Sequence, residues 1–546
     1  MAPDSHPPVT ATGATIIARR LAEAGCRHAF GIPGGEVLSL VDALGAAGID
    51  FVLTKHENAA GFMGEGVWHR NGAPAVLVAT LGPGLANAVN VIANAHQDRV
   101  PMIVLTGRVD PAEALTYTHQ VFDHAALMAP ITKASLTACP GGVATVIDKA
   151  LAVALDGRPG PVHVDLPIGL ADAEEPAGEV PRPVRPAPMA PAPGPDLDRA
   201  RAWLAEAERP LLIAGVDVLT QGAEARVAET ARAFGIPLVT TYKAKGVLPE
   251  DGPLALGGAG LSPKADKRLL PLVERADLVL LAGYDPIEMR VGWRDPWGPG
   301  KRVVELSAVA NTHFMHQAAI AFIGDVGAGL AALTKGVAPR LEQMWPEGEP
   351  AATRRALRSD FAPGQDWGPA AVFAALRAAT PPETVVTVDS GAHRILLSQQ
   401  WACPAPRTML QSSGLCTMGS AVPLAIGAKL ASPETPVVAV VGDAGLEMGL
   451  GELATARDLG LPVVVVVIAD RSLALIELKQ RQRQLANRGV DFGATDFAAV
   501  ATAMGGAGAE ILDADALGDA LARAWRRDTF TVISCPVDRR AYDGAF

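Results

Sequence analysis

Residues 436–478 read PVVAVVGDAGLEMGLGELATARDLGLPVVVVVIADRSLALIEL, and this stretch decides the fold of the chain. Residues 437–441 are an apolar run of the kind that forms a buried strand, and the run ends at Gly-Asp-Ala-Gly. A helical pattern follows, stops at Gly460, and gives way to a second apolar run at 463–468. A strand, a helix and a strand in this order predict a βαβ unit of a parallel sheet.

An acidic residue closes each of the two predicted strands: Asp443 follows the first and Asp470 the second. Ligands of parallel α/β sheets bind at the carboxyl ends of the strands, so we expect both carboxylates to face one crevice. Two carboxylates, a turn of small residues and a helix N-terminus suit a hard divalent cation that bridges to a diphosphate. The same pattern also fits an ordinary βαβ unit whose strand-end acids cap helices.

The Gly-Asp-Ala opening at 442–444 and the acid 27 residues after Asp443 resemble the cofactor motif of thiamine diphosphate-dependent enzymes. The resemblance implies that Asp443 and Asp470 bind Mg²⁺ through their side chains and Ser472 through its backbone carbonyl. Ala444 stands where most members have a third Gly, a change that acetolactate synthases share. Ala469-Asp470 replaces the usual Asn pair, which resembles the catabolic, FAD-independent acetolactate synthases.

The last third of the chain carries further segments that resemble the family. The predicted strand 385–388 ends in DSGAH, a loop that binds the diphosphate in family members. In QSSGLCTMG (411–419), Met418 would support the bent cofactor and the Cys416 carbonyl would accept its amino group, although Met418 alone would be interpreted as a core residue. The implied cofactor contacts in this part of the chain are Gly391, Ala392, His393, Cys416, Met418, Gly442, Asp443, Ala444, Gly445, Asp470, Ser472, Leu473, Leu475 and Ile476.

Residues 11–170 alternate between helix and strand patterns and resemble the pyrimidine-binding domain of the acetolactate synthase group. The matching segments are GIPGGEVLSLVDAL, KHENAAGFMGEG, LGPGLANA, THQVFDHAALMAPITK and GRPGPVHVDLP. The resemblance assigns Glu57 to the cofactor as both a binding and a catalytic residue. A carboxyl held against the aminopyrimidine favours the imino tautomer, whose nitrogen removes the proton from the reactive carbon. Without its flanking residues, Glu57 would be interpreted as a helix-starting residue near the surface.

Two other residues of this region are candidate catalytic groups. Gln120 resembles the glutamine beside the reacting carbon, and its neighbour His119 stands where anabolic members have Phe. The turn at Gly34-Gly35 could offer a backbone N–H, that of Gly35, to the developing oxyanion of a keto-acid adduct. A solvated Gln and a simple tight turn are the alternative interpretations.

Two linkers divide the chain into three predicted Rossmann-like α/β domains with parallel sheets. Residues 171–195 are rich in Pro, which predicts a semi-rigid linker. Weak helix signals and scattered Pro, Gly and Trp predict a second linker at 337–367. The resulting domains are a pyrimidine-binding domain (1–175), a central domain (196–336) and a diphosphate- and magnesium-binding domain (366–546).

The central domain resembles the flavin-free group because of GYDPIE at 283–288, so we expect no FAD. The alternative that this domain binds acyl-coenzyme A or a nucleotide is left open by the sequence.

Composition excludes several other classes of function. The chain has 546 residues, 49% of them hydrophobic and 19% charged, as in an ordinary globular protein. A net charge of −11 without basic clusters argues against nucleic acid as a partner. No apolar run approaches the ~20 residues that cross a membrane, and no signal peptide is evident at the start, so a cytoplasmic location is expected. The five cysteines are expected to be reduced, buried thiols.

The resemblance implies decarboxylation of a 2-oxo acid, pyruvate in an acetolactate synthase, followed by ligation to a second keto acid. A simple 2-oxo acid decarboxylase and a carboligase like benzaldehyde lyase share the same scaffold and remain alternatives. The family implies a homodimer or homotetramer with active sites at the subunit interface. Leu475, Ile476 and Lys479 fall on the helix expected to line the acceptor pocket, although Lys479 also fits a solvated face.

Overall fold

The computed structural model describes residues 10–179, 187–287, 289–339, 341, 344–364 and 366–546. Within these residues, three parallel sheets of six strands each follow one another along the chain, with helices between their strands. The predicted fold class, three α/β domains with parallel sheets, is confirmed. Contacts between residues group the chain into two compact units, the first containing residues 1–185, 423–433 and 449–459.

The first sheet has the strand order β3-β2-β4-β5-β7-β6, and β1 pairs with β8 in a separate two-stranded antiparallel sheet. The strands are β1 (Thr10–Thr12), β2 (His28–Ile32), β3 (Asp50–Leu53), β4 (Ala75–Ala79), β5 (Met102–Arg108), β6 (Ala134–Thr137), β7 (Pro161–Pro167) and β8 (Glu174–Pro176). The helices are α1 (Gly13–Glu23), α2 (Leu38–Ala46), α3 (Glu57–Asn71), α4 (Pro83–Asn87), α5 (Val89–Asp98), α6 (His124–Met128), α7 (Val143–Leu155) and α8 (Ile168–Asp172).

The central sheet has the order β11-β10-β9-β12-β13-β14. Its strands are β9 (Pro210–Ala214), β10 (Leu238–Thr240), β11 (Ala255–Gly258), β12 (Leu278–Ala282), β13 (Arg302–Ser307) and β14 (Ile320–Ile323). Its helices are α9 (Pro195–Glu206), α10 (Val216–Thr220), α11 (Glu224–Phe234), α12 (Pro263–Arg275) and α13 (Val326–Thr334). The apolar run 211–218 contains the end of strand β9 and the start of the short helix α10, with Gly215 between them. A Cβ at Gly215 would collide with the backbone of Gly283 and Tyr284.

The third sheet has the order β16-β15-β17-β18-β20-β19. Its strands are β15 (Val385–Val388), β16 (Met409–Gln411), β17 (Val437–Gly442), β18 (Val464–Ala469), β19 (Ala507–Glu510) and β20 (Thr531–Pro536). The helices after α13 are α14 (Glu349–Asp360), α15 (Pro369–Ala378), α16 (Ala392–Gln400), α17 (Ala421–Ala431), α18 (Asp443–Gly449), α19 (Glu452–Asp458), α20 (Ala474–Gln482), α21 (Phe497–Ala503) and α22 (Ala514–Ala524). Because β17 and β18 pair in parallel, the βαβ unit is present, with two short helices instead of one.

Both predicted linkers contain regular structure. In the first, α8 runs to Asp172 and β8 to Pro176, while residues 180–186 lie outside the described residues. In the second, the expectation of weak helix structure is wrong for 349–360, which form α14. This helix buries Leu357, and its Asp360 accepts two hydrogen bonds from Arg268 of α12. Tertiary packing thus contributes to the stability of this helix.

The helix that begins with Glu57 lies against the backbone of another helix. A Cβ at Gly66 of α3 would collide with the carbonyl oxygen of Leu424 in α17, and one at Gly427 would collide with that of Met63. Glycines at these positions allow the two helix backbones to touch. Residues 423–433, which precede β17, therefore fold together with the first sheet.

The cysteines are all unpaired, but only Cys26, Cys403 and Cys535 are buried. The expectation of five buried thiols is wrong for Cys139 and Cys416, because both lie in exposed loops rather than in strands or helices. Among the described residues, none of the helices combines the length and the apolar character needed to cross a bilayer.

Candidate active site

A cavity of about 310 Å³ lies at the carboxyl ends of β15, β17 and β18. Every cofactor residue predicted in the last third of the chain lines this cavity. The loops that carry them follow neighbouring strands of one parallel sheet, which is why residues far apart in sequence meet at one edge.

The two acids predicted to bind a metal stand at the ends of adjacent strands. Asp443 accepts the backbone N–H of Ala444 at 2.9 Å and that of Arg471 at 2.6 Å, while Asp470 accepts the N–H of Ser472 at 3.0 Å. Burial raises the pKa of Asp443, and burial together with the charge of Asp443 raises the pKa of Asp470 to about 7. A divalent cation would offset both effects, and carboxylate and carbonyl oxygens are the ligands that Mg²⁺ prefers.

A second part of the cavity lining suits a polyanion. Helix α16 begins at the cavity, and its N–H groups point out of the helix N-terminus. Ser390 and His393 line the cavity, and Ser390 Oγ and His393 Nε2 are buried atoms without a hydrogen-bond partner in the described part of the chain. Burial lowers the pKa of His393 to about 4, so its ring is neutral near pH 7. These residues fit a diphosphate whose oxygens would accept from them.

The loop with Cys416 and Met418 is held in place by two buried side chains. The Asp389 carboxylate accepts the N–H groups of Gly419 at 2.9 Å and Ser420 at 3.2 Å. Arg394, which is 3% exposed, donates to Cys416 Sγ at 3.1 Å, and Cys416 itself has a left-handed backbone with φ 52°. These hydrogen bonds hold the loop in place where Cys416 and Met418 line the cavity.

Sequence reasoning did not single out several lining residues. They are Leu261, Arg394, Ile395 and Ala474, whereas Ser390 belongs to the DSGAH loop predicted to bind the diphosphate. One feature of the sequence could have pointed to Arg394. It lies near the start of a helix that directly follows a loop predicted to bind ligand. Leu261 had no such feature, because it comes from the central domain and reaches the cavity only through tertiary packing.

The predicted acceptor-pocket residues divide into two groups. Leu475 and Ile476 line the cavity, whereas Lys479 is exposed and outside the lining residues. The interpretation of Lys479 as a residue of a solvated face therefore agrees with the structure.

The candidate catalytic residues of the first domain are not among the residues that line this cavity. Glu57 is the first residue of α3 and 5% exposed, and its Oε2 accepts from Asn87 Nδ2 at 3.1 Å. Its Oε1 faces Gly84, where a Cβ would lie at 3.4 Å. Gln120 is exposed, with a left-handed φ of 58°, and its carbonyl lies against Gly82. Gly35 begins a 3₁₀ turn at Gly35–Val37.

Three family models match the chain in succession. They describe the N-terminal TPP-binding domain of thiamine pyrophosphate enzymes (residues 11–127), the central domain (197–333) and the C-terminal TPP-binding domain (389–535).

Curated proteins of similar sequence match almost end to end. An acetolactate synthase of Bacillus subtilis (strain 168) is 30% identical, covering 96% of this chain and 93% of its own. A catabolic acetolactate synthase of Raoultella terrigena is 28% identical over 97% and 96%. A probable 2-ketoarginine decarboxylase of Pseudomonas aeruginosa is 32% identical over 97% and 94%.

Proposed function

Since this chain belongs to the thiamine pyrophosphate enzymes, we propose that it decarboxylates pyruvate and ligates the remaining two-carbon unit to a second keto acid, as an acetolactate synthase does. The observation that carries the proposal is the cavity at the ends of β15, β17 and β18, because its two acids, unpartnered donors and helix N-terminus suit one metal-bound diphosphate. When bound, thiamine diphosphate supplies the carbon nucleophile and the electron sink for decarboxylation.

The residues of the third domain would hold and orient the cofactor. Asp443, Asp470 and the carbonyl of Ser472 would bind Mg²⁺, and Ser390 and His393 would donate to the diphosphate. The Cys416–Met418 loop would fix the bend of the cofactor. The rigid anchoring of that loop by Asp389 supports this role, since an anchored loop loses little entropy on binding.

The first domain would supply the proton chemistry. Glu57 would hold a proton between its carboxyl and the aminopyrimidine nitrogen. Its Oε2 is already held by Asn87, which leaves Oε1, on the Gly84 side, for that task. Gln120 and the N–H of Gly35 would orient the substrate and its developing negative charge. The family further implies a homodimer or homotetramer whose active sites lie at the subunit interface.

The cavity favours a small, uncharged substrate chain. Beside the two predicted metal ligands, its acceptor end offers the aliphatic side chains of Leu475 and Ile476. A second candidate function is decarboxylation of a larger 2-oxo acid without ligation, which the similarity to a probable 2-ketoarginine decarboxylase favours.

The decisive experiment is product analysis. Purified protein with thiamine diphosphate and Mg²⁺ is incubated separately with pyruvate and with 2-ketoarginine. Acetolactate from pyruvate is the expected product. Acetaldehyde from pyruvate would show decarboxylation without ligation and contradict the proposal. Carbon dioxide from 2-ketoarginine alone would establish the second function, and no carbon dioxide from either substrate would contradict both.

A further inference from the structure

A buried hydrogen-bond network lies in the first domain, outside the groups assigned to the reaction. At its centre is Asp165 of β7, which is 1% exposed. Its Oδ1 lies 2.7 Å from His124 Nδ1 and accepts from the Thr106 hydroxyl at 2.7 Å, and its Oδ2 accepts from Arg108 at 3.1 Å. Burial by itself would raise the pKa of Asp165, but hydrogen bonds from His124 and His163 hold it well below its usual value. The carboxyl is therefore ionised.

The network fixes the tautomer of His124. The backbone N–H of Gly82 lies 3.1 Å from His124 Nε2, and an amide nitrogen can only donate. Nε2 therefore carries no proton, and Nδ1–H donates to Asp165. The second histidine, His163, bonds Thr106 through Nε2 at 2.7 Å and Ser135 through Nδ1 at 2.8 Å. Since the ring nitrogens and carboxylate oxygens all have partners, the cluster is a hydrogen-bond network rather than a metal site.

The turn that His124 holds reaches both candidate catalytic side chains of this domain. Gly82 has φ 68° and ψ −106°, which side-chain-bearing residues avoid, and a Cβ there would collide with the carbonyl of Gln120. Gly82 also starts α4, since its carbonyl accepts the N–H of Ala86 at 3.0 Å. At the other end of α4, Asn87 donates to Glu57.

We propose that His124, oriented by its hydrogen bond to Asp165, is a positioning residue that fixes the Gly82 turn and thereby the placement of Glu57 and Gln120. The proposal rests on the proposed function of Glu57, and it assigns His124 no contact with cofactor or substrate. A displacement of even about 1 Å at a reacting group can cost on the order of 10²-fold in rate, so a firm anchor at this turn matters.

The test compares two variants, His124→Phe and His28→Phe. The first keeps a ring beside Phe122 but loses both hydrogen bonds of His124. The second is the control, because His28 is a half-buried histidine of the same domain that lies outside the network. The readout is the rate at which the reactive carbon of thiamine diphosphate exchanges its proton for deuterium. This rate is measured by NMR, with the cofactor at saturating concentration. We expect His124→Phe to slow exchange on the order of tenfold, with His28→Phe unchanged. His124→Gln, which keeps an acceptor for Gly82, should fall between them.

Amide hydrogen exchange of the peptide 81–88 tests the network without catalysis. It should accelerate in His124→Phe and remain slow in His28→Phe. Unchanged amide exchange would overturn the link between His124 and Gly82. Faster amide exchange with normal carbon exchange would overturn the positioning role. If the unmodified protein itself shows no carbon exchange, the proposed function fails instead. Should His124→Phe fail to fold, His124→Gln carries both measurements.

Discussion

The carboxylate of Asp443 accepts the backbone N–H of Arg471 at 2.6 Å, which ties the end of β17 to the end of β18. Asp443 therefore has a structural partner in addition to its predicted metal. The Asp470 carboxylate, in contrast, accepts the N–H of Ser472, two residues later along the same loop. Substitution of Asp470 is thus the cleaner test of the metal site.

Asp470→Ala should weaken thiamine diphosphate binding at limiting Mg²⁺ by on the order of tenfold, or about 1.4 kcal/mol, and high Mg²⁺ should restore part of the affinity. The physical reason is the loss of one of two charged oxygen ligands. Asp519→Ala removes an exposed acid of α22 and serves as the control. The measurement is calorimetric titration of cofactor at several Mg²⁺ concentrations. Equal affinities for both variants and for the parent would refute the metal assignment.

Glu57→Gln should keep the fold and slow both carbon proton exchange and turnover by at least ~10²-fold, the scale of general acid–base catalysis. The amide can still bond the aminopyrimidine but cannot take up its proton. Glu23→Gln, an exposed residue of α1, is the matched control. Turnover near that of the parent in Glu57→Gln would show that another group activates the cofactor.

The purified protein should be colourless, and added FAD should leave its activity unchanged. The motivation is the segment at 283–288, which resembles that of the flavin-free group. A visible absorbance spectrum of the purified protein, inspected for a flavin band, decides the matter. A yellow protein, or activity that depends on FAD, would contradict this prediction.

Little preference for 2-oxobutyrate over pyruvate is expected at the acceptor end of the cavity. One methylene is worth only ~1–3 kcal/mol even in a well-formed apolar pocket. Lys479→Trp should leave the ratio of acetohydroxybutyrate to acetolactate unchanged, because Lys479 is exposed and outside the cavity, whereas Ile476→Trp should change it. A competition assay with both acceptors measures the ratio. The reverse result would place Lys479 in the acceptor pocket.

Glu250→Ala should destabilise the protein by about 3–5 kcal/mol. Its carboxylate lies 2.8 Å from Lys245 Nζ, with side chains 8% and 3% exposed, so the variant leaves a buried ammonium unpaired. Glu229→Ala, which breaks the exposed pair with Arg226, should cost under about 1 kcal/mol. Urea unfolding at pH 7 measures both.

The ion pair also has a defined pH dependence. Burial alone would lower the pKa of Lys245, but Glu250 raises it above its ordinary value. A raised lysine pKa means that the stabilisation is complete below the unfolded-state pKa of about 10.4 and is lost above it. The contribution of the pair to the stability of the parent should therefore be the same at pH 7 and pH 9. In Glu250→Ala, burial alone lowers the pKa of Lys245, so loss of its proton relieves the unpaired charge and the difference from the parent should shrink toward pH 9. A difference that grows toward pH 9 would contradict the pairing.

Apolar runs followed by small or acidic residues made most of the sheets predictable. The run at 437–441 and the acid after it were enough to predict β17 and one wall of the cavity, without any knowledge of the tertiary structure. Strands such as β11 (Ala255–Gly258) were not predicted, because four residues with two glycines carry no β pattern of their own. They are strands because their neighbours in the sheet pair with them.

The site was predictable where it follows from local sequence and not where it depends on packing. Strand-end residues such as Asp443 and Asp470 share a sheet edge by topology alone. The position of Arg394 instead depends on Gln411, whose Oε1 accepts from its Nε at 2.8 Å across the end of the sheet. A buried arginine can be inferred only when such partners are known.

The contact between α3 and α17 constrains how this chain could exchange segments with its relatives by recombination. The three predicted domains look like separable modules, yet Gly66 and Gly427 come from opposite ends of the sequence and their helices touch backbone to backbone. A crossover in either linker that introduced a larger residue at one of these sites would force the helices apart and shift the start of α3, where Glu57 lies. The two glycines must therefore be inherited together.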